Sequence, residues 1–412
     1  MLNVFTLNQR INESAGYTAD VKELLESVDE YEFVGSIDEA SSEFSINLMN
    51  EAVSLQELIT GSEEIMAEAA MSNPERLDTI QESIFSGIKA KVLAVIDKII
   101  AMVKGIKEKL KEFYYKLTGK TDKWAKVIKP RIDAAKKRSG YSEAKAEMYA
   151  WQEDYVITDM SAAIAKLMTN MYETINKIFD ESKIEANNKL TNRMQYTSDA
   201  IKNAAASHKK DDADSDELAN YVKSVNNETE AVEKLFNENK EKFPEHVATV
   251  LGEKLKGSKL STANMEDMWK SLDIAVKGNE KTTRTYGNRV DSMLEFVKKS
   301  SNTIKNIQKA YDKHLSDLGT LKKKAETAFN EDKISGKLPE EAAKAAKQLM
   351  TATGTSITSY LTMHEGAINT ARDKNTKYLQ EMSSEYMSVL TKFAGIKSQE
   401  PKEKSEKKTD EQ

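Results

Sequence analysis

Apolar residues recur along this chain in steps of three and four, and the longest such run lies between Ser86 and Leu117. Positions 92, 96, 99, 103, 106, 110, 113 and 117 hold Val92, Ile96, Ile99, Val103, Ile106, Leu110, Phe113 and Leu117. Residues spaced this way share one face of an α-helix, so the segment predicts a long amphipathic helix about which the rest of the chain is organised. The opposite face is almost entirely lysine: Lys89, Lys91, Lys98, Lys104, Lys107, Lys109, Lys111 and Lys116.

The same periodicity places further helices. Asn73-Pro74-Glu75 reads as a helix start, with Asn as the cap, Pro at the first helical position and Glu at the positive end. Lys120 to Pro130 reads as a connector, and a second long helix is expected from Ser142 past Ile178, striped by Met148, Trp151, Tyr155, Met160, Ile164, Leu167 and Met171. Residues 209–216 read as a solvated loop, and Pro244 as the start of a short helix. Gly278–Asn288 reads as another loop, and a fourth long helix carries Val290, Leu294, Val297, Ile304, Tyr311, Leu315 and Leu318. Pro339 marks the next helix start, with a break or kink expected near Gly354 before a final helix striped by Ile357, Leu361, Ile368, Ala371, Tyr378, Met382 and Leu390.

The expected fold is mainly α, with long amphipathic helices forming an elongated helical bundle or coiled coil and no β-sheet. Its divisions are an acidic, weakly folded arm (1–72), a basic amphipathic helix region (73–138), a helical domain (139–257), a helical or coiled-coil domain (258–395) and a disordered charged tail (396–412).

Composition narrows the classes. Sixteen glycines and five prolines in 412 residues are too few for the turns of an all-β fold, and the absence of cysteine excludes disulfides and thiolate metal sites. The first residues lack the basic start and apolar run of a signal peptide, and no segment has eighteen uncharged apolar residues, so a protein soluble where it is made is expected. The net charge of −6 hides a segregation: residues 1–88 hold 18 acidic against 3 basic side chains, and residues 89–138 hold 16 basic against 5 acidic. Such an asymmetry fits a surface for nucleic acid, membrane or an acidic partner. It also fits an arm that folds back to neutralise the basic helix.

Candidate chemistry is sparse. Leu117-Thr118-Gly119-Lys120-Thr121 ends like a phosphate-binding loop, but Tyr114 stands where the earlier Gly belongs and the stretch closes a helix. His364-Glu365 begins like a zinc-protease helix, but Ile368 replaces the second His, and His208, His246 and His314 read as isolated surface residues. Asp212, Asp214 and Asp216 alternate like a calcium loop that lacks its Gly and its terminal Glu. The seventeen methionines, Met148, Met160, Met168 and Met171 among them, read as core fillers. No catalytic residue, metal ligand, cofactor or small-molecule substrate is expected. The basic helix is left with three readings: a packed helix with a solvated lysine face, a nonspecific polyanion contact, or a membrane-surface helix.

Three tetrapeptides in the arm share the pattern apolar–x–Glu–Ala: Ile37-Asp38-Glu39-Ala40, Met49-Asn50-Glu51-Ala52 and Met66-Ala67-Glu68-Ala69. Together with the lysine-rich helix behind them, residues 37–117 resemble the internal and structural virion proteins of large tailed bacteriophages. The resemblance implies an acidic prosegment cut after Glu by a prohead protease, with Glu68–Ala69 as the scissile bond ahead of the Pro74 helix start. Residues 1–68 hold 15 acidic and 2 basic side chains, so their loss would move the net charge from −6 to +7. The expected function is a non-enzymatic virion or internal head component. Its partners would be other virion proteins, further copies of itself and nonspecific DNA. The alternative is a membrane-active, pore-forming or envelope-penetrating helical protein that inserts residues 86–117.

Overall fold

A run of 23 residues, Leu349 to Ala371, carries a single formal charge, at Glu365. A helix without a charged face has no side to give to water, and this run lies at the middle of the longest helix. The computed structural model describes residues 75–137, 145–153, 160–188, 213–252, 265–278, 280–329 and 340–394. The arm, Glu68 and Ala69, the linker 258–264 and the tail 396–412 lie outside them.

The described chain is mainly α. In order it forms α1 (Glu75–Val127), α2 (Lys129–Ala135), β1 (Lys145–Tyr149), α3 (Met160–Ser182), α4 (Ala213–Gly252), α5 (Met265–Lys277), β2 (Lys281–Thr285), α6 (Val290–Ala328) and α7 (Glu340–Ala394). Helix α7 touches every other one of these helices, while the pairs α1/α6, α6/α3 and α3/α4 also meet. Four helices therefore stand in the order α1, α6, α3, α4 about α7. The organising element is α7 and not the basic helix.

Helix α1 begins directly after Asn73-Pro74, and its eight stripe residues, Val92 through Leu117, are all buried. It runs through the expected connector as far as Val127. The chain breaks only at Ile128, because Pro130 in the first turn of α2 has no N–H to give the preceding helix and crowds the residue before it. Pro244 does not start a helix: it lies inside α4, where Phe243, Val247, Ala248 and Leu251 are buried. Burial of that turn outweighs a proline cost of about 3 kcal/mol. The expected acidic loop is likewise helical from Ala213.

Helix α7 is continuous through Gly354, where a break was expected. A Cβ there would lie 3.2 Å from Val92 Cγ2 and 3.4 Å from Ile88 Cγ2, so the glycine marks a close approach of α1 to α7. Some of its threonine hydroxyls bond the carbonyl one turn back, half-buried Thr362 to Thr358, half-buried Thr370 to Gly366 and buried Thr376 to Arg372, at 2.8–2.9 Å, while those of Thr351, Thr353 and Thr355 have no hydrogen-bond partner.

A small β-sheet corrects the expectation of none. β1 and β2 pair antiparallel, with Lys145 opposite Thr285, Glu147 opposite Thr283 and Tyr149 opposite Lys281. Residues 145–149 are thus not the start of a long helix, which begins only at Met160. Gly278 makes the turn into this sheet: it ends α5 at φ 71°, and a Cβ there would lie 2.5 Å from the Ala150 carbonyl oxygen. The sheet is anchored to α7 by Glu385, which accepts from the Tyr149 backbone N–H at 3.0 Å and from Trp151 Nε1 at 2.7 Å.

Candidate nucleic-acid interface and the polar column behind it

The apolar stripe of α1 is consumed by the core, which leaves its lysines on the flanks and the outer side. Lys98, Lys104, Lys111 and Lys116 are exposed, and Lys89, Lys91, Lys107 and Lys109 are half-buried. Ion pairs stitch this helix to α6. Lys107 meets Asp312 at 2.6 Å, and Lys322 of α6 meets Asp97 at 2.6 and 2.8 Å. Each carboxylate holds its lysine above the ordinary ammonium pKa, chiefly by accepting its hydrogen bond. Ten residues forward on α1 is ten residues back on α6, so the two helices run antiparallel. Lys111 lies 3.6 Å from Glu108 of its own helix.

Behind this face a column of buried polar groups crosses from α3 through α6 to α7. The Tyr172 hydroxyl lies 2.8 Å from His314 Nδ1 and 3.2 Å from the His314 carbonyl oxygen. His314 Nε2 lies 2.5 Å from Glu365 Oε1, a separation that needs a proton between them, so Nε2–H donates. Glu365 Oε2 has no hydrogen-bond partner. One turn along α7, the Tyr311 hydroxyl donates to Asn369 Oδ1 at 3.2 Å. Arg372 donates to the same oxygen at 2.8 Å, to Tyr311 at 3.2 Å and, through Nε and Nη2, to Asp373.

Burial sets the proton affinities here. It raises both phenols well above their ordinary value, with the Glu365 charge adding to the effect at Tyr172, and at Tyr311 against the opposing pull of Arg372. Burial also opposes the charge of Arg372, but Tyr311 and Asp373 more than offset it and the guanidinium pKa is raised. On the α4 side of α7, His364 is fully buried, with Nδ1 3.1 Å from the Tyr360 carbonyl and Nε2 3.1 Å from the Asn170 side chain. Desolvation lowers its pKa to about 3, so it is neutral at physiological pH.

Tyrosine, imidazole and carboxylate in a row resemble a proton relay, but the His314 and Glu365 side chains have 0% exposure. Two open grooves described on the molecule are lined by other residues. One, of about 680 Å³, lies at Lys183, Glu185, Lys323 and Thr327, and one of about 660 Å³ lies between Asn226 and Glu230 of α4 and Gln348 and Thr355 of α7. Neither groove is lined by Tyr172, His314 or Glu365.

The expected α1 stripe is buried throughout, and of the eight lysines four are exposed and four half-buried. His314 reads as a surface residue, and His364-Glu365 as the start of a zinc-protease motif that Ile368 rules out. Both histidines are buried, each against a partner on another helix. The signal that could have found His364 is the lack of charge between Leu349 and Ala371, a stretch in which most side chains are buried, the rest are half-buried and none is exposed; His314 carries no such signal. Met148, Met160, Met168 and Met171 are core residues. Among the described residues no group of three His, Asp or Glu could hold a metal ion, and no helix is long and apolar enough to cross a membrane. Comparison with family models, with curated proteins and with solved structures returned no match.

Proposed function

We propose that this chain is a non-enzymatic structural protein, an internal or head component of a phage virion, whose helices form an elongated bundle. The observation that carries the reading is the division of labour on α1: its apolar stripe is spent inside the fold while lysines remain at the surface. A rigid rod with cations outside can lie against a polyanion without unfolding. Removal of residues 1–68 after Glu68 would take away 15 acidic and 2 basic side chains and leave a basic body of net charge +7. Its partners are packaged DNA, other virion proteins and further copies of the chain.

The membrane-active alternative would need Val92, Ile99, Val103 and Leu110 to leave the core, where each is 0–1% exposed. Two measurements test the proposal. Mass spectrometry of the protein from purified particles should find Ala69 as its first residue, and an intact N-terminus would remove the processing step. Purified protein should retain DNA in a salt-sensitive manner and release no dye from liposomes; dye release without DNA retention would favour the alternative.

A further inference from the structure

The ion pair between Lys107 and Asp312 identifies the two flanks that face each other across the α1/α6 seam. Residues three, four and seven apart on a helix share a flank. On α1 the flank of Lys107 therefore includes Lys104 and Lys111. On α6 the flank of Asp312 includes Lys309 and Lys305. The antiparallel register set by Asp97–Lys322 and Lys107–Asp312 brings Lys111 level with residue 308, between these two lysines and their neighbours on α6. Lys104, Lys111, Lys305 and Lys309 are all exposed. Tyr115, four residues beyond Lys111 on the same flank, is 62% exposed, a large ring among cations where solvation alone would favour a polar side chain.

We infer that the polyanion surface is a strip shared by two helices, with Lys104 and Lys111 of α1 on one side and Lys305 and Lys309 of α6 on the other, and that it takes the backbone of duplex DNA. This rests on the DNA-contacting function proposed above and extends it to α6, which lies outside the basic segment 89–138. Axes of packed helices are about 8–10 Å apart, so the strip offers two rows of ammonium groups instead of one. Lysine ammoniums act as point charges on phosphate, and interactions of this kind carry no base information. Binding should accordingly be independent of sequence.

The test uses the full chain, a short fluorescent duplex of random sequence and a titration over a range of salt concentrations. Lys305→Glu with Lys309→Glu should lower the slope of log K against log salt by about 1.8, at about 0.9 for each phosphate no longer neutralised. Lys223→Glu with Lys234→Glu, on exposed positions of α4, makes the same change in net charge and should leave the slope as in wild type. Circular dichroism establishes that both variants are folded. A wild-type chain that binds DNA while the α6 variant keeps its full slope would overturn the two-helix strip. An equal loss in the α4 variant would overturn it as well, by showing a response to net charge alone. A wild-type chain that binds no DNA, both whole and as recovered from particles with Ala69 as its first residue, would instead overturn the function on which the strip rests.

Discussion

Removing His314 should cost more than removing Glu365, although the two share one hydrogen bond. Glu365 Oε2 has no partner and Oε1 is held by His314 at 2.5 Å, so His314→Phe strips the buried carboxylate of the bond it makes to that ring. A carboxyl group at 0% exposure left with no hydrogen bond on either oxygen costs about 3 kcal/mol, the upper end for an unpaired buried polar group. In Glu365→Leu, His314 still has the Tyr172 hydroxyl at 2.8 Å, and only one neutral N–H is left without an acceptor. That costs about 1–3 kcal/mol. The double variant replaces both groups with apolar ones, and Tyr172 keeps the carbonyl of position 314 at 3.2 Å. It should fall within about 2 kcal/mol of wild type, since a buried pair exchanged for hydrophobic residues is often close to neutral. The coupling is then at least about 2 kcal/mol, read from urea midpoints followed by far-UV circular dichroism. Two single effects that simply add in the double variant, to within about 0.5 kcal/mol, would refute the pairing.

Four further outcomes are expected. His364 titrates near 6.5 when unfolded and near 3 when buried, so the unfolded chain binds the extra proton as pH falls and stability is lost on that side. The loss should reach about 2 kcal/mol by pH 5 relative to pH 7, and His364→Phe should flatten the profile by that amount; an unchanged profile would show that the ring is not sequestered. Gly354→Leu would drive a side chain into Val92 and Ile88, and a loss of about 1–3 kcal/mol is expected in thermal unfolding. Ile99→Ala, at 0% exposure, should cost about 2–5 kcal/mol. Lys104→Ala, on the exposed side of the same helix, should stay within about 0.5 kcal/mol while weakening DNA retention.

Local periodicity placed the buried stripe of α1 and most of that of α6, but not where α3 begins, that α4 runs through Pro244 or that α7 is unbroken. The α1 stripe is an example: apolar side chains at steps of three and four can be hidden only on one side of a helix, whatever the partner. The start after Asn73-Pro74 and the break at Pro130 follow from proline's missing N–H, which is a property of the residue itself. The charge segregation, too, belongs to the chain alone.

Tertiary contacts decided the rest. Residues 145–149 alternate polar and apolar only over Lys145-Ala146-Glu147-Met148, too short a run to mark a strand by itself, and become β1 because Lys281–Thr285, more than 130 residues later, supplies the other half of the ladder. Pro244 and Gly354 are helix breakers by propensity, and both sit inside helices because burial of neighbouring side chains exceeds a cost of about 1–3 kcal/mol. The polar column needed three helices to meet before Tyr172, His314 and Glu365 could satisfy one another. A lone histidine in a sequence does not reveal whether a carboxylate will arrive from another helix. The joining of α1 and α6 lysines into one strip has the same origin: it depends on an antiparallel register that only the packed chain defines.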